Sequence, residues 1–241
     1  MHVITFDFHN TIAHCEAWFR LEVQDLPGTV LREQGYPEET IEAATDLFQQ
    51  LRRGVVASGN ERTAVECCRS VFGQLDLRVE VDHLTAQIDA IMRASMHNLA
   101  PVEGAIATIR ELHGAGYRLG VVSSAIHHDV VSWALASFGL VEAFDVIVTS
   151  ARCGVYKSNP TIYRHALDLL DDLPERSIHV GDSLQWDAGT ASQLGMSTVL
   201  LRTGCVDRFR SNAAPVEPDL VLDTLVDASG ELEKLFRSLC A

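Results

Sequence analysis

The side chains with chemistry to offer are scattered along the chain but share one kind of placement. Val3-Ile4-Thr5-Phe6 is an apolar, strand-forming run that delivers Asp7, and Phe8-His9-Asn10-Thr11 follows at once. A second run, residues 117–122, ends on Ser123 and Ser124. The loop beyond a third, residues 144–148, reaches Lys157. A fourth, residues 177–180, ends on Gly181-Asp182-Ser183, with Asp187 just beyond. Each residue has an ordinary role in isolation: a turn former after a strand, or a solvated loop charge. Together they suit phosphoryl transfer. A carboxylate such as Asp7 can attack phosphorus in line and form an acyl phosphate that water later cleaves. The Lys157 ammonium and the Ser123 hydroxyl can stabilise charge spread over the phosphoryl oxygens. Mg²⁺ favours carboxylate oxygens, so Asp7 and Asp182 are expected to ligate it, with Asp187 holding those ligands or a bound water. Asp7 can thus serve as nucleophile, metal ligand or both.

Bringing these residues together requires a particular scaffold. Strand-like runs at residues 2–7, 117–122, 144–148, 177–180 and 198–201, and a weaker one at 220–222, alternate with helical patterns. Those helices are expected at 105–113, 129–138, 161–170 and 188–194. The alternation predicts an α/β fold, a doubly wound parallel sheet with helices on both faces. Ligands of such sheets lie outside the carboxyl ends of the strands, where the polar residues fall. Residues 13–99 carry no convincing strand. They hold amphipathic helical patterns at 16–26, at 29–34 after a break or bend at Pro27-Gly28, from Pro37 onward, at 63–75 and at 81–96. The expected organisation is an α/β core of residues 1–12 and 100–241, with an inserted all-helical cap at 13–99.

Composition narrows the partners. The formal net charge is −14, and Lys157 and Lys234 are the only lysines. Such a surface repels polyanions, which argues against nucleic acid and anionic membranes. An anionic substrate then needs local cations, which raises the interest of Lys157. No apolar run is long enough to span a bilayer and no leader pattern opens the chain, so a cytoplasmic protein is expected. The six cysteines, Cys15, Cys67, Cys68, Cys153, Cys205 and Cys240, show no metal-ligand spacing and read as reduced thiols. Cys67-Cys68 is expected to be half core and half surface.

The ordered motifs resemble the haloacid dehalogenase superfamily, in the branch with a helical cap inserted after the first strand. Asp7 with Thr11 looks like its first motif and Ser123 like its second. Lys157-Ser158-Asn159-Pro160 is similar to its third, and Gly181-Asp182-Ser183 with Asp187 to its fourth. Gly104 and Gly195-Met196 also match, so the resemblance runs from residue 2 to about 225. It implies a hydrolase acting on a small phosphorylated metabolite with Mg²⁺, and phosphate contacts from Ser123, Ser124 and Lys157. It also implies a metal bond from the backbone carbonyl at His9.

One position departs from the pattern. Family phosphatases usually carry a second Asp two residues after the nucleophile, as general acid and base, and this chain has His9. An imidazole titrates near neutrality and can do both jobs. The substitution also keeps two other readings open: a metal-free 2-haloacid dehalogenase using Asp7, and a non-catalytic phosphometabolite-binding or interaction module. In such a family the cap closes over the rim and selects the substrate. Candidate contacts are His14, Trp18, Arg52 and Arg53, with His127 and His128 as further candidates at the mouth. The sequence sets no oligomeric state.

Overall fold

The structure is a computed structural model that describes residues 2–203 and 216–239. β1 (Val3–Phe6) is followed by a turn and the two-residue β2 (Ala13–His14). The helical block then runs through α1 (Glu16–Arg20), a π-helical turn at Leu21–Asp25, α2 (Leu26–Glu33), α3 (Glu38–Ser58), α4 (Ala64–Gln74) and α5 (Val81–Ser95). β3 (Ala100–Pro101) returns antiparallel to β2. Next come α6 (Ala105–Gly114), β4 (Arg118–Ser123), α7 (His128–Ser137), β5 (Val146–Thr149), α8 (Ser150–Cys153) and α9 (Thr161–Leu169). β6 (Ser177–Gly181) leads through a π-helical turn at Leu184–Thr190 into α10 (Ala191–Gln193). β7 (Ser197–Leu201), β8 (Leu220–Leu222) and α11 (Ser229–Leu239) complete the described elements.

Six strands form a parallel sheet in the order β5-β4-β1-β6-β7-β8. β1 lies in the interior of that sheet, which is why its four residues are all buried and mostly apolar. On one face Val3, Val122 and Val148 pack with Ile162, Tyr163 and Leu167 of α9. On the other face Ile4, Phe6, Val121 and Val180 join a cluster with Ile109, Leu112, Val131 and Phe236. That second cluster continues into the helical block through Phe8, Trp18, Phe48 and Phe72. The doubly wound sheet is therefore as expected. Chain order reverses at β1, so a crevice opens between the ends of β1 and β6, the usual place for a ligand in such sheets.

The helical block differs from expectation in three details. Its ends are tied by the β2–β3 ribbon, a strand too short to show a period-two pattern. Pro27-Gly28 does not end a helix; Pro27 sits in the first turn of α2, where its missing N–H costs nothing. The bend is taken by the π-helical turn before it, and Thr45 and Asp25 side chains occupy the space a Cβ on Gly28 would need. Cys67 and Cys68 are both buried rather than half exposed. They lie on α4, which starts at a capping box between Thr63 and Glu66. Cys15, Cys67, Cys68 and Cys153 are unpaired thiols, and Cys205 and Cys240 lie outside the described residues. Among the described residues no helix is long and apolar enough to cross a membrane.

Candidate active site

Asp7 is held by the sheet itself. Its N–H donates to Val180 O at 2.8 Å, extending the β1–β6 ladder one residue past β1. The chain then turns sharply, with Ile12 and Ala13 N–H both donating to Phe8 O at 2.9 and 3.0 Å. Asn10 takes the left-handed conformation this turn requires, at φ 63°. The Asp7 carboxylate is buried and accepts from Lys157 Nζ at 2.5 Å through Oδ1 and from Thr11 Oγ1 at 3.3 Å through Oδ2.

Lys157 binds Asp187 as well, with Nζ donating to Oδ1 at 2.6 Å. Asp187 reaches back over Gly181, where its carboxylate fills the place of a Cβ, so no other residue fits at 181. The Ser183 N–H donates to Asp187 Oδ2 at 2.9 Å. Asp182 Oδ2 accepts from Asn10 Nδ2 at 3.2 Å, and Asn10 Oδ1 accepts from His14 Nδ1 at 2.9 Å. Ser123 is buried at the end of β4 beside Thr149. The Ser124 hydroxyl is buried beside the Tyr156 phenol.

One oxygen each from Asp7, Asp182 and Asp187 lie within 4.8 Å of one another. Three carboxylates share a closed site with one ammonium, and their ionisation shows the imbalance. Burial pushes Asp182 up to about 8, and the charges of Asp7 and Asp187 add to the shift. Burial likewise raises Asp7 to about 6, against the pull of Lys157. Burial also opposes charge on Asp187 and Lys157, but their mutual attraction holds the carboxyl well below and the ammonium well above its ordinary range. A hard divalent cation fits this all-oxygen donor set and supplies the missing positive charge.

The helical block meets this rim through direct polar bonds. Ile126 N–H donates to Glu22 Oε1 at 2.8 Å, and Ala64 N–H to Ile126 O at 2.9 Å. Glu61 N–H donates to Gly154 O at 2.9 Å, and Ser150 Oγ to Glu61 Oε2 at 2.9 Å. These bonds join the helical block to the segments that follow β4 and β5, and Asp7 and Lys157 are buried.

The candidate cap contacts divide. His14 joins the acidic cluster through Asn10. Trp18 is buried, with its ring edge-on to Phe8 and to His9 at 5.5 Å from each. Arg52 is committed to Glu61 by two bonds, at 2.5 and 3.1 Å, and no longer offers a free cation to a substrate. Arg53, next along α3, is exposed. His127 bonds Asp89 at 2.7 Å, and His128 lies between Thr149 and Arg152 at 2.8 Å from each. His9 itself stacks on Phe19, 4.3 Å between ring centroids and 4° from parallel. Asn10, Phe19 and His179 were not among the candidates, although a lone His inside the apolar run 177–180 was the available signal.

Glu22 yields a test of the seam. Burial raises its carboxyl to about 8, with Arg52 pulling the other way. The folded protein therefore keeps a proton that the unfolded chain releases. The stability tied to that proton is complete below the ordinary 4.5 and is lost as pH rises to about 8. Glu22→Gln keeps an acceptor for Ile126 and removes the ionisation. In urea titrations it is expected to match wild type near pH 5 and exceed it at pH 8 by on the order of 1–2 kcal/mol. A gap that is the same at both pH values would rule out a neutral Glu22.

Known proteins bear on the family. A glyceraldehyde 3-phosphate phosphatase of Methanothermobacter thermautotrophicus is 32% identical over 138 residues, 57% of this chain and 59% of that protein. An (S)-2-haloacid dehalogenase from a Pseudomonas species is 29% identical over 127 residues, 52% of this chain and 55% of that protein. The alignments thus span a little over half the length of these relatives. The crystal structure of a 2-haloacid dehalogenase from Pseudomonas syringae pv. Tomato shares the fold at TM-score 0.69 and 18% identity, covering 98% of this chain and 99% of that one. The model of the haloacid dehalogenase-like hydrolases matches residues 1–195, a span that includes every residue of the acidic rim, and this chain belongs to that family.

Proposed function

We propose that this hydrolase cleaves a small phosphate monoester through an aspartyl phosphate on Asp7, with Mg²⁺ as cofactor. The observation that carries the reading is the buried cluster of Asp7, Asp182 and Asp187 around Lys157. Asp182 is the carboxylate that metal-free dehalogenases of this family usually lack. Asp7, Asp182 and the backbone carbonyl of His9 would hold the ion, supported by Asp187. When bound it offsets the repulsion between an attacking carboxylate and a phosphate dianion.

The protein's own residues account for the remaining chemistry. Ser123, Ser124 and Lys157 bind the phosphoryl oxygens and fix phosphorus in line with an Asp7 oxygen. The Asp7 O–P bond forms as the bond from phosphorus to the ester oxygen breaks, and that oxygen takes a proton from His9. His9 then accepts a proton from water as the water oxygen attacks phosphorus. The Asp7 O–P bond breaks, inorganic phosphate leaves and the carboxylate is restored. Stacking on Phe19 and the edge contact with Trp18 hold the His9 ring beside the cap. Residues 13–99 act as the lid on a core of residues 1–12 and 100–241, excluding water during transfer.

The substrate class follows from the seam and the charge. A closed, polar site beneath a seated cap suits a metabolite on the scale of the glyceraldehyde 3-phosphate named for the relative. A net charge of −14 disfavours nucleic acid and anionic membranes as partners. Phosphate release over a panel of small monoesters, with Mg²⁺ and with EDTA, tests the reading. Release that needs Mg²⁺ supports it. Chloride release from 2-haloacids that persists in EDTA would select the second reading, dehalogenation by Asp7, which the dehalogenase relative brings into view. Ligand-induced stabilisation without turnover of any monoester would select a binding module.

His9 carries its own expectation. His9→Ala should slow turnover of alkyl phosphates by roughly 10²–10³-fold and of nitrophenyl phosphate by roughly tenfold or less. The alkyl leaving group needs a proton and nitrophenolate does not. Equal losses on both substrates would remove the acid role.

A further inference from the structure

His179 is a titratable side chain that the mechanism above does not use. It lies fully buried in the middle of β6, between Ile178 and Val180. An imidazole taken out of water at such a place needs partners for both nitrogens, and both are present. Parallel register puts Thr5 of β1 directly opposite His179, and Thr5 Oγ1 lies 2.8 Å from Nδ1. On the other side Nε2 lies 3.1 Å from Asp187 Oδ1.

The pairing fixes the tautomer. An ionised carboxylate only accepts, so Nε2 carries the hydrogen and donates it to Asp187. Burial disfavours the imidazolium, so Nδ1 is bare, and the Thr5 hydroxyl, which also lies 3.4 Å from Ile178 O, donates to the nearer Nδ1 at 2.8 Å. The ring is also gripped from the side: Tyr163 packs edge-on at 4.8 Å, with its own hydroxyl donating to Trp186 O at 2.8 Å.

Asp187 then accepts from three donors. Its Oδ1 receives Lys157 Nζ and His179 Nε2, and its Oδ2 receives the Ser183 N–H. A carboxylate with three donors cannot rotate, and Lys157 is the one of the three that also reaches Asp7.

We propose that His179 is a positioning residue: its Nε2–H bond locks the Asp187 carboxylate so that the Lys157 ammonium stays aimed at Asp7. The buried run Thr5–His179–Asp187–Lys157–Asp7 carries the order of the sheet to the rim without touching substrate. Without the His179 donor, Oδ1 keeps Lys157 alone, so the carboxylate is free to turn about its Ser183 bond and draw the ammonium off the Asp7 line. The effect on turnover rests on the reading of Asp7 as nucleophile, whereas the tautomer and the lock do not.

The experiment compares wild type, His179→Leu and His179→Gln in full-length protein, by phosphate release with Mg²⁺ and by thermal unfolding. Gln places an amide donor at the distance of Nε2, and Leu fills the space without one. His179→Leu is expected to lose roughly 10–100-fold in kcat at nearly unchanged KM, with His179→Gln restored to within roughly fivefold of wild type. Equal losses in the two variants, or no loss in His179→Leu, would overturn the assignment.

Histidine ring ¹⁵N spectra of the wild type and of Lys157→Met give a readout that needs no activity. They should show His179 neutral and protonated at Nε2, with that signal moving when Lys157 is replaced. A ring protonated at Nδ1, or one indifferent to Lys157→Met, refutes the proposal even if His179→Leu does not fold. A wild type with no phosphatase activity but the expected ring signals would instead sink the functional reading and leave the lock standing.

Discussion

Asp7→Asn is expected to abolish phosphate release, lowering kcat by at least about 10⁴-fold, with the fold unchanged. An amide oxygen is a poor nucleophile and an uncharged metal ligand, so both roles of Asp7 fail together. The structural cost is small. The bond from the residue 7 N–H to Val180 O survives, and Lys157 keeps Asp187 as its anionic partner. Losing one of three crowded carboxylates also removes the Asp7 charge, which adds to the burial that pushes Asp182 up to about 8. Single-turnover phosphate release and thermal unfolding, run side by side, decide the matter. Wild-type turnover in a folded variant would mean that another group attacks phosphorus.

Lys157→Met should be nearly as damaging to turnover and far more damaging to stability. Lys157 is the cation that contacts both Asp7 and Asp187 in this buried cluster. Burial already lifts Asp7 to about 6 against the pull of Lys157, so without the ammonium it moves higher and is protonated at neutral pH. Activity is expected to fall by about 10³-fold, with the remainder rising toward alkaline pH. The stability cost is on the order of 3 kcal/mol, that of leaving buried charge without its partner. The sign of its pH dependence follows. Carboxyls raised in the folded state hold protons that the unfolded chain releases from about pH 4 upward. The variant therefore approaches wild type near pH 4 and falls behind as pH rises through the raised values. Urea denaturation in EDTA at pH 5 and pH 8 measures this, and an equal deficit at both would contradict it.

What could be read from the sequence was whatever depended on where the backbone goes. Asp7, Ser123, Lys157, Asp182 and Asp187 follow apolar strand runs, and a parallel sheet sends every such end to one rim. What escaped was set by side-chain direction and by pairing between distant segments. Arg52 and Arg53 are neighbours in sequence but about 100° apart around a helix. One turns inward to Glu61 and the other remains exposed. Trp18 has the composition of a binding residue, yet its face of α1 is buried against Phe8. His179 becomes meaningful only when β6 pairs with β1 in the register that sets it against Thr5, a contact across more than about 170 residues of chain that no local pattern encodes. Asn10 takes the left-handed turn after β1, and its amide meets Asp182 only because that turn closes over the end of β6.

The β2–β3 ribbon has a consequence for the order in which the molecule assembles. Val3 must find Arg118, roughly 115 residues away along the chain, before the interior strands of the sheet can form. Closing so long a loop is slow when its interior is unstructured. If the helices between Glu16 and Ser95 collapse first and Ala13–His14 zips onto Ala100–Pro101, the open contour between those partners shrinks to roughly 25 residues. A ribbon of two residues per strand then acts as a kinetic staple. It adds little to the finished structure, but it makes the helical block a folding scaffold for the sheet whose chemistry it later covers.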